Sequence, residues 1–509
     1  MRQFTFILIF ILPLAAFSQL NPQSKKITKK FFPDLDIEIN TPGFSKKKGF
    51  TNYKMMMSFI NKLIEKEEGV TLSFIGESQK GKPIPMIKIS KNSYKEKIKI
   101  WFQAGMHGNE PAGTEGILYL MDQLLNNDKY SYLFDRIELV IVPMVNIDGY
   151  EKNNRYASNG LDLNRDHTKL MIPESNSLKN AFSNYGAEIT VDFHEYTPFR
   201  KDFAKIGDFG ISNIYDVMIL YSGNLNVPKI LRNFTNDIFV EKAREVLEKN
   251  DLRYHDYIVS RNHQGSIHFH QGSNSSRSSC TAYALTNSIS SLVEVRGVGI
   301  GKTSFKRRVN STFLVALSYL ETAYNNVENI KQILIKSKKS KNDAVLKSAP
   351  NISNSQITCL DLGTSQEIVL DVILHDKFNA KAELIRERPH GYLIHQDNKL
   401  VLEKLKILGL TLSSVTSSRT VKAAKYIVDL CERSQMKYEG VFMQNVQTST
   451  ENIVLEIDKF WYVLKMDQKN ANLAIEVLEP EAPNSFVSYG LIKTEKNSDL
   501  PYFRLLKKK

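Results

Sequence analysis

From residue 98 to residue 324 the chain alternates runs that read as buried strands with runs that read as helices. That alternation restricts it to an α/β architecture built on a mixed, mostly parallel sheet with helices on both faces. Ile137 to Val142 and Ile189 to Phe193 read as strands buried on both faces, as the central strands of such a sheet are. Pro111 sits where a helix starts, and Gly113 to Leu125 continues it. Val227-Pro228 opens a longer helix reaching Lys249, where Asn250 can stop it. Ser291 to Val295 is a further strand, and Ser311 to Tyr324 a closing helix. Upstream, Met57, Ile60 and Ile64 share one face of a helix over Tyr53 to Glu67. Strands follow at Val70 to Ile75, Pro85 to Ile89 and Ile98 to Phe102, separated by Gly76, by Gly81-Lys82-Pro83 and by a charged turn. Residues 19–50 are polar and Lys-rich and read as a lead-in.

A chain of 509 residues implies two or three domains. Lys336 to Ser355 is rich in Lys, Ser, Asn and Pro, a linker composition. The expected division is a signal peptide over 1–18, a catalytic unit over 19–330, a linker over 331–354 and an accessory unit over 355–509. The last reads as a smaller mixed α/β or β-rich domain, with a strand at Tyr392 to Ile394 and a helix over Leu400 to Leu408. Arg2 followed by the apolar run Phe4 to Ala15 has signal-peptide length, and Ala16-Phe17-Ser18 offers small residues for cleavage near Ser18. The expected location is therefore secreted or periplasmic. With no cysteine after the cleavage site and no second long apolar segment, a stable membrane anchor is not expected.

Hydrophobic content of 42% and charged content of 24% are ordinary globular usage. The net charge of +13 comes from scattered lysines and reads as a solvated basic surface. No paired basic and aromatic motif points to nucleic acid. Cys280, Cys359 and Cys431 do not form a disulfide framework, though a single Cys359–Cys431 bridge stays open.

Four segments carry chemistry, each at the end of an expected strand. In Trp101-Phe-Gln-Ala-Gly-Met-His107-Gly-Asn-Glu110-Pro111 a strand ends, His and Glu follow three residues apart, and a helix begins. Catalytic zinc takes three such nitrogen and oxygen ligands and keeps a position open. Gly105 and Gly108 let the backbone turn there. In Val191-Asp-Phe-His194-Glu195 a histidine at a strand end is placed for a third ligand. Position 198 is Pro, so this is not the helical two-histidine zinc motif. The third segment runs from Val145-Asn146-Ile-Asp148-Gly149 through Arg155 to Gly160-Leu-Asp162-Leu-Asn164-Arg165-Asp166. Arginine offers a planar fork for carboxylates, and Asp162 can orient a metal-bound histidine. In Ser291-Leu-Val-Glu294-Val-Arg296-Gly297 a carboxylate inside an apolar strand is costly unless paired or functional. An exposed Glu294–Arg296 pair on an edge strand is the plainer alternative. Gly297-Val-Gly299-Ile-Gly301-Lys302-Thr303 resembles a phosphate loop but has Arg296 where the first glycine belongs. His263, His268 and His270 read as loop histidines near the cleft rather than a second metal patch.

In this order the set His107-x-x-Glu110, Arg155, Asn164-Arg165, His194 and Glu294 resembles the zinc carboxypeptidases of the carboxypeptidase A type, over residues 45–325. Gly76-Glu-Ser78 with Gly81, and Asn146-x-Asp148-Gly149, extend the likeness. The resemblance implies one zinc ion held by His107, Glu110 and His194, with Arg155 polarising the scissile carbonyl. It implies that Asn164 and Arg165 grip the free C-terminal carboxylate of a peptide substrate, and that Glu294 is general base and then general acid. The family's substrate-covering tyrosine is assigned to Tyr283 in Thr281-Ala-Tyr283-Ala-Leu285, which lies nearer Glu294 than in digestive enzymes. The short stretch from Arg165 to His194 suggests trimmed loops and a more open cleft. The tail, with Ala471–Leu478, Glu479-Pro-Glu481 and Leu500-Pro501-Tyr502, resembles that of large bacterial members. Two other readings use the same residues: a zinc amidohydrolase acting on acyl amino acids or cell-wall peptides, and a non-catalytic envelope-binding protein that kept the fold.

Overall fold

The computed structural model describes residues 23–91, 96–199, 210–263 and 266–507. The expected signal peptide lies outside them. Among the described residues no helix is long and apolar enough to cross a membrane.

In the first half the strands are β1 Val70–Glu77, β2 Pro83–Ile89, β3 Ile98–Ala104, β4 Ile137–Val142, β5 Ile189–Tyr196, β6 Ile211–Asn213, β7 Val217–Tyr221, β8 Tyr254–Asp256, β9 Ile258–His263, β10 Ser266–Gln271 and β11 Ile289–Arg296. Eight of them form one sheet in the order β1-β2-β4-β3-β5-β11-β7-β8. The pairs β3·β4, β3·β5, β5·β11 and β7·β8 are parallel. The pairs β1·β2, β2·β4 and β7·β11 are antiparallel, so the sheet is mixed with its parallel part at the centre.

Register shows how the central strands are covered on both faces. Phe102, Val191 and Ser291 are partners across β3, β5 and β11, so they share a face. Tyr319, from the helix Phe305–Asn325, donates to the Ser291 hydroxyl at 2.7 Å on that face. Trp101 points the opposite way and meets Phe182 and Tyr185 of the helix Pro173–Tyr185, with ring centroids 5.6 and 6.0 Å away. With helices on both faces, most side chains of these strands are buried. The expected helix from Val227 is present as Lys229–Lys249, broken by one π turn over Thr235–Val240. The polar lead-in is not irregular: Lys25–Phe31 is a helix capped by Ser24, whose buried Ile27 and Phe31 seat it on the body.

The second half departs from expectation. The segment read as a linker holds the end of a helix, Val327–Lys338, and then the 18-residue strand β12, Ala344–Asp361. With β13, Gln366–Arg386, it makes a long hairpin. This hairpin does not stand apart. It completes a five-stranded sheet in the order β6-β12-β13-β10-β9, inserting between strands of the first half. The composition misled because this hairpin is half exposed: Ser, Asn and Lys alternate with inward residues such as Ile357, Cys359 and Val372.

Beyond it lie β14 Gly391–His395, β15 Ser413–Ser414, β16 Arg419–Arg433, β17 Gln444–Ile457, β18 Trp461–Lys465 and β19 Asp499–Leu505, in the order β15-β18-β14-β19-β16-β17. The expected β-rich module is this sheet, with helices Lys399–Ile407 and Ala471–Leu478. One continuous apolar core joins Trp101, Ile189 and Phe182 to Tyr392, Leu405, Tyr426 and Phe486. Buried Glu479 takes hydrogen bonds from the Tyr392 and Tyr426 hydroxyls and from Arg386, at 2.8, 3.0 and 2.8 Å. All three cysteines are free, and Cys359 and Cys431 lie in different sheets.

Candidate active site

His107 and Glu110 sit in the turn between β3 and the helix Pro111–Asn126, with Glu110 at the position just before the helix and Pro111 in its first turn. Two glycines permit the turn, for different reasons. Gly105 has φ +65°, a left-handed conformation that glycine adopts at little cost. Gly108 lies against another backbone: a Cβ there would be 2.1 Å from the Gly149 carbonyl carbon. The Asn146-x-Asp148-Gly149 turn therefore supports the metal-site turn directly.

His194 comes from β5. Its Nδ1 lies 3.1 Å from His107 Nδ1 and 2.8 Å from Glu110 Oε2, while His107 Nδ1 lies 2.8 Å from Glu110 Oε1. All three residues are buried, and their donor atoms fall within 4.8 Å of one another. Each imidazole is steadied through its other nitrogen. His107 Nε2 is 3.0 Å from Asp162 Oδ1, and His194 Nε2 is 2.9 Å from Asp192 Oδ2. Carboxylates so placed leave both Nδ1 atoms to point at a common centre, which is how metal-binding histidines are oriented. Two imidazoles and a carboxylate are a donor set that fits zinc.

Asp162 ties three parts together. Besides His107, it accepts from the Asn164 backbone N–H at 2.8 Å and from Arg155 Nε at 3.0 Å. Burial opposes its ionisation, but His107, Arg155 and Arg165 hold its carboxyl well below the usual range. Arg155 also lies 3.3 Å from Glu110 Oε1 and turns a third of its side chain to the cleft. Asn164 and Arg165 occupy a single 3₁₀ turn, Leu163–Arg165. The Ser279 backbone N–H donates to Asn164 Oδ1 at 2.8 Å.

Glu294 is not on an edge strand. It lies on β11, flanked by β5 and β7, and its β5 partner in the register is His194. Parallel partners point to the same side, so the carboxylate and the imidazole face one cleft. Burial and the Glu110 carboxylate push the Glu294 carboxyl up to about 7, against the pull of the two histidines and Arg155. Arg296, two residues on, turns away to Asn213 O and Ser212 and makes no pair with Glu294.

The cleft has a volume of about 660 Å³ and is lined by His107, Glu110, Arg155, Asn164, Arg165 and Glu294. Met218, Leu220 and Leu292 give it an apolar wall on the face shared with Glu294. The one expected site residue not brought here is Tyr283. It is 1% exposed, its ring lies 4.0 Å from that of Phe182, and its hydroxyl donates to Gln103 Oε1 at 2.9 Å. The short helix Ser279–Ala284 turns it into the core, so it does not line the cleft. A tyrosine does line it: Tyr257, between β8 and β9. No sequence pattern marks that residue. His268 and His270 are on strand β10 rather than in a loop, beside His375 of β13, with His268 Nδ1 2.8 Å from His375 Nε2. Arg277, at the cleft, and Glu439, from the second half, were not anticipated; neither belongs to any motif.

Comparison with known proteins gives the same direction. Residues 56–209 match the family model described as zinc carboxypeptidase. Carboxypeptidase 2 of Trichophyton rubrum is 28% identical over 474 residues, covering 90% of this chain and 87% of the relative. Carboxypeptidase 2 of Trichophyton tonsurans is 28% identical over 472 residues, with 90% and 87% covered. These fungal proteins are similar across the second half too, where the tail had suggested bacterial ones. A metallo-carboxypeptidase structure from Burkholderia cenocepacia aligns with a TM-score of 0.42 and 15% identity, covering 53% of this chain and 70% of that one.

Proposed function

The chain belongs to the zinc carboxypeptidase family, and from that premise we propose a secreted enzyme that hydrolyses the last peptide bond of its substrates, using one zinc ion held by His107, Glu110 and His194. The observation that carries the reading is the register of β5 and β11, which sets Glu294 beside His194 at the convergence of the three donors. The ion would supply Lewis-acid polarisation of the carbonyl and acidify water.

The protein's own groups do the rest. The Glu294 carboxylate takes a proton from the attacking water and hands it to the departing amine. Arg155, aligned by Asp162, faces the carbonyl oxygen as negative charge develops there. Asn164 and Arg165 bind the terminal carboxylate, which confines attack to the last peptide bond. The wall of Met218, Leu220 and Leu292 supports an apolar side chain as the residue released.

The test is a peptide library with free and with amidated C-termini, digested by the purified protein and read by mass spectrometry. Single C-terminal residues, mainly apolar, should leave the free peptides only, and a chelator should stop this until zinc is returned. Equal cleavage of amidated peptides would instead indicate an amidohydrolase. No cleavage and no zinc would indicate a binding protein that kept the fold.

A further inference from the structure

The hairpin joining β16 to β17 ends at the mouth of the cleft. Its tip is Tyr438-Glu439-Gly440-Val441, closed by Tyr438 N–H to Val441 O at 2.8 Å and by Val441 N–H to Tyr438 O at 3.1 Å. Both central residues are left-handed, with φ of 48° at Glu439 and 85° at Gly440. Turns of this kind take Asn, Asp or Gly at both positions, and a glutamate there carries a backbone cost. Gly440 packs on the loop that carries the anchor residues, where a Cβ would lie 2.9 Å from Leu161 Cδ2.

The Glu439 side chain explains the strained position. Its Oε1 is 3.0 Å from Arg277 Nη1 and 3.8 Å from Arg165 Nε, and its Oε2 is 2.9 Å from Lys169 Nζ. Arg165 and Arg277 both line the cleft. The carboxylate is only 16% exposed, so these attractions are screened less than surface pairs are. One anion among three cations leaves the group net positive. That is the charge a second carboxylate, arriving with a substrate, would meet. Backbone strain of this kind persists where surrounding contacts over-determine it, and here they end at the cleft.

We propose that Glu439, carried by the second half of the chain, is a positioning residue for the substrate-carboxylate anchor, holding Arg277 and Arg165 at the spacing that receives a free C-terminus. The inference rests on the exopeptidase reading above. It makes the second half part of the site's specificity.

The test uses full-length zinc-loaded protein and N-acylated peptides ending in a free phenylalanine. Glu439→Ala should raise KM about tenfold while kcat stays within about twofold, the signature of lost ground-state binding. Glu439→Asp should recover part of the loss, and zinc content should match wild type. Should Glu439→Ala fold poorly, Arg277→Gln carries the same expectation of a raised KM. An unchanged or lowered KM, with wild type still discriminating free from amidated peptides, overturns the role of Glu439 alone. A wild type that cleaves both equally overturns the carboxylate anchor, and this inference with it.

Discussion

Asp162 and Asp192 decide what the two imidazoles can do, because each fixes which ring nitrogen is left for a metal. Asp192→Ala should therefore weaken zinc binding about 10- to 100-fold while the fold persists, measured by competition with a chromogenic chelator. Glu294→Gln should keep zinc and lose nearly all hydrolysis, since the amide cannot accept the proton; retained activity with metal in place would remove Glu294 from the base role. A residue outside the chemistry offers a pH prediction. Lys179 is fully buried, held by the faces of Tyr283 and Phe182, at 4.7 and 5.4 Å, and its amine is pushed down to about 7 by burial. Between about 7 and its unfolded value of 10.5 the native state binds fewer protons than the unfolded one, so stability rises with pH across that window. Below about 7 the penalty of a buried charge stays in full. Lys179→Met should raise the unfolding midpoint most at pH 7 and progressively less toward pH 10, by thermal denaturation. At this scale the sequence was legible where chemistry and strand ends coincide, as at His107, His194 and Glu294. It was not legible for Tyr283, because proximity along the chain to Glu294 says nothing about which way a six-residue helix turns its side chains.

At the scale of elements, the site is a product of register and of one close approach. A one-residue slip between β5 and β11 would turn Glu294 to the opposite face from His194. The apolar strands flanking the site resist such a slip, since their neighbours on both faces are packed. The backbone contact between Gly108 and Gly149 is less forgiving. Gly108→Ala should lower both zinc occupancy and the unfolding midpoint, because the added methyl has backbone rather than a flexible side chain to displace. The central elements were readable for the reason that makes them rigid: Ile137–Val142 buries nearly every side chain and Pro111–Asn126 buries most of its own, so their pattern is unambiguous. The β12–β13 hairpin was unreadable for the converse reason. Half of it faces water, and a polar strand has the composition of a loop.

At the scale of the molecule, the division into a catalytic unit and an accessory unit does not match the packing. The second half supplies two strands of the sheet beside the cleft, shares the main apolar core, and reaches the anchor with Glu439. Truncation after residue 343 should thus yield insoluble or inactive protein rather than a smaller enzyme, as expression and size-exclusion profiles would show; a soluble, fully active fragment would restore the two-unit description. The placement of β12 and β13 between β6 and β10 also sets an order of events. During synthesis the ribosome releases every residue of the metal centre before the strands that finish the wall beside it. A polypeptide still being made, or cut short, holds the reacting groups without their enclosure. The sheet order thus leaves the wall beside the reacting groups unfinished until residue 386 has joined the fold.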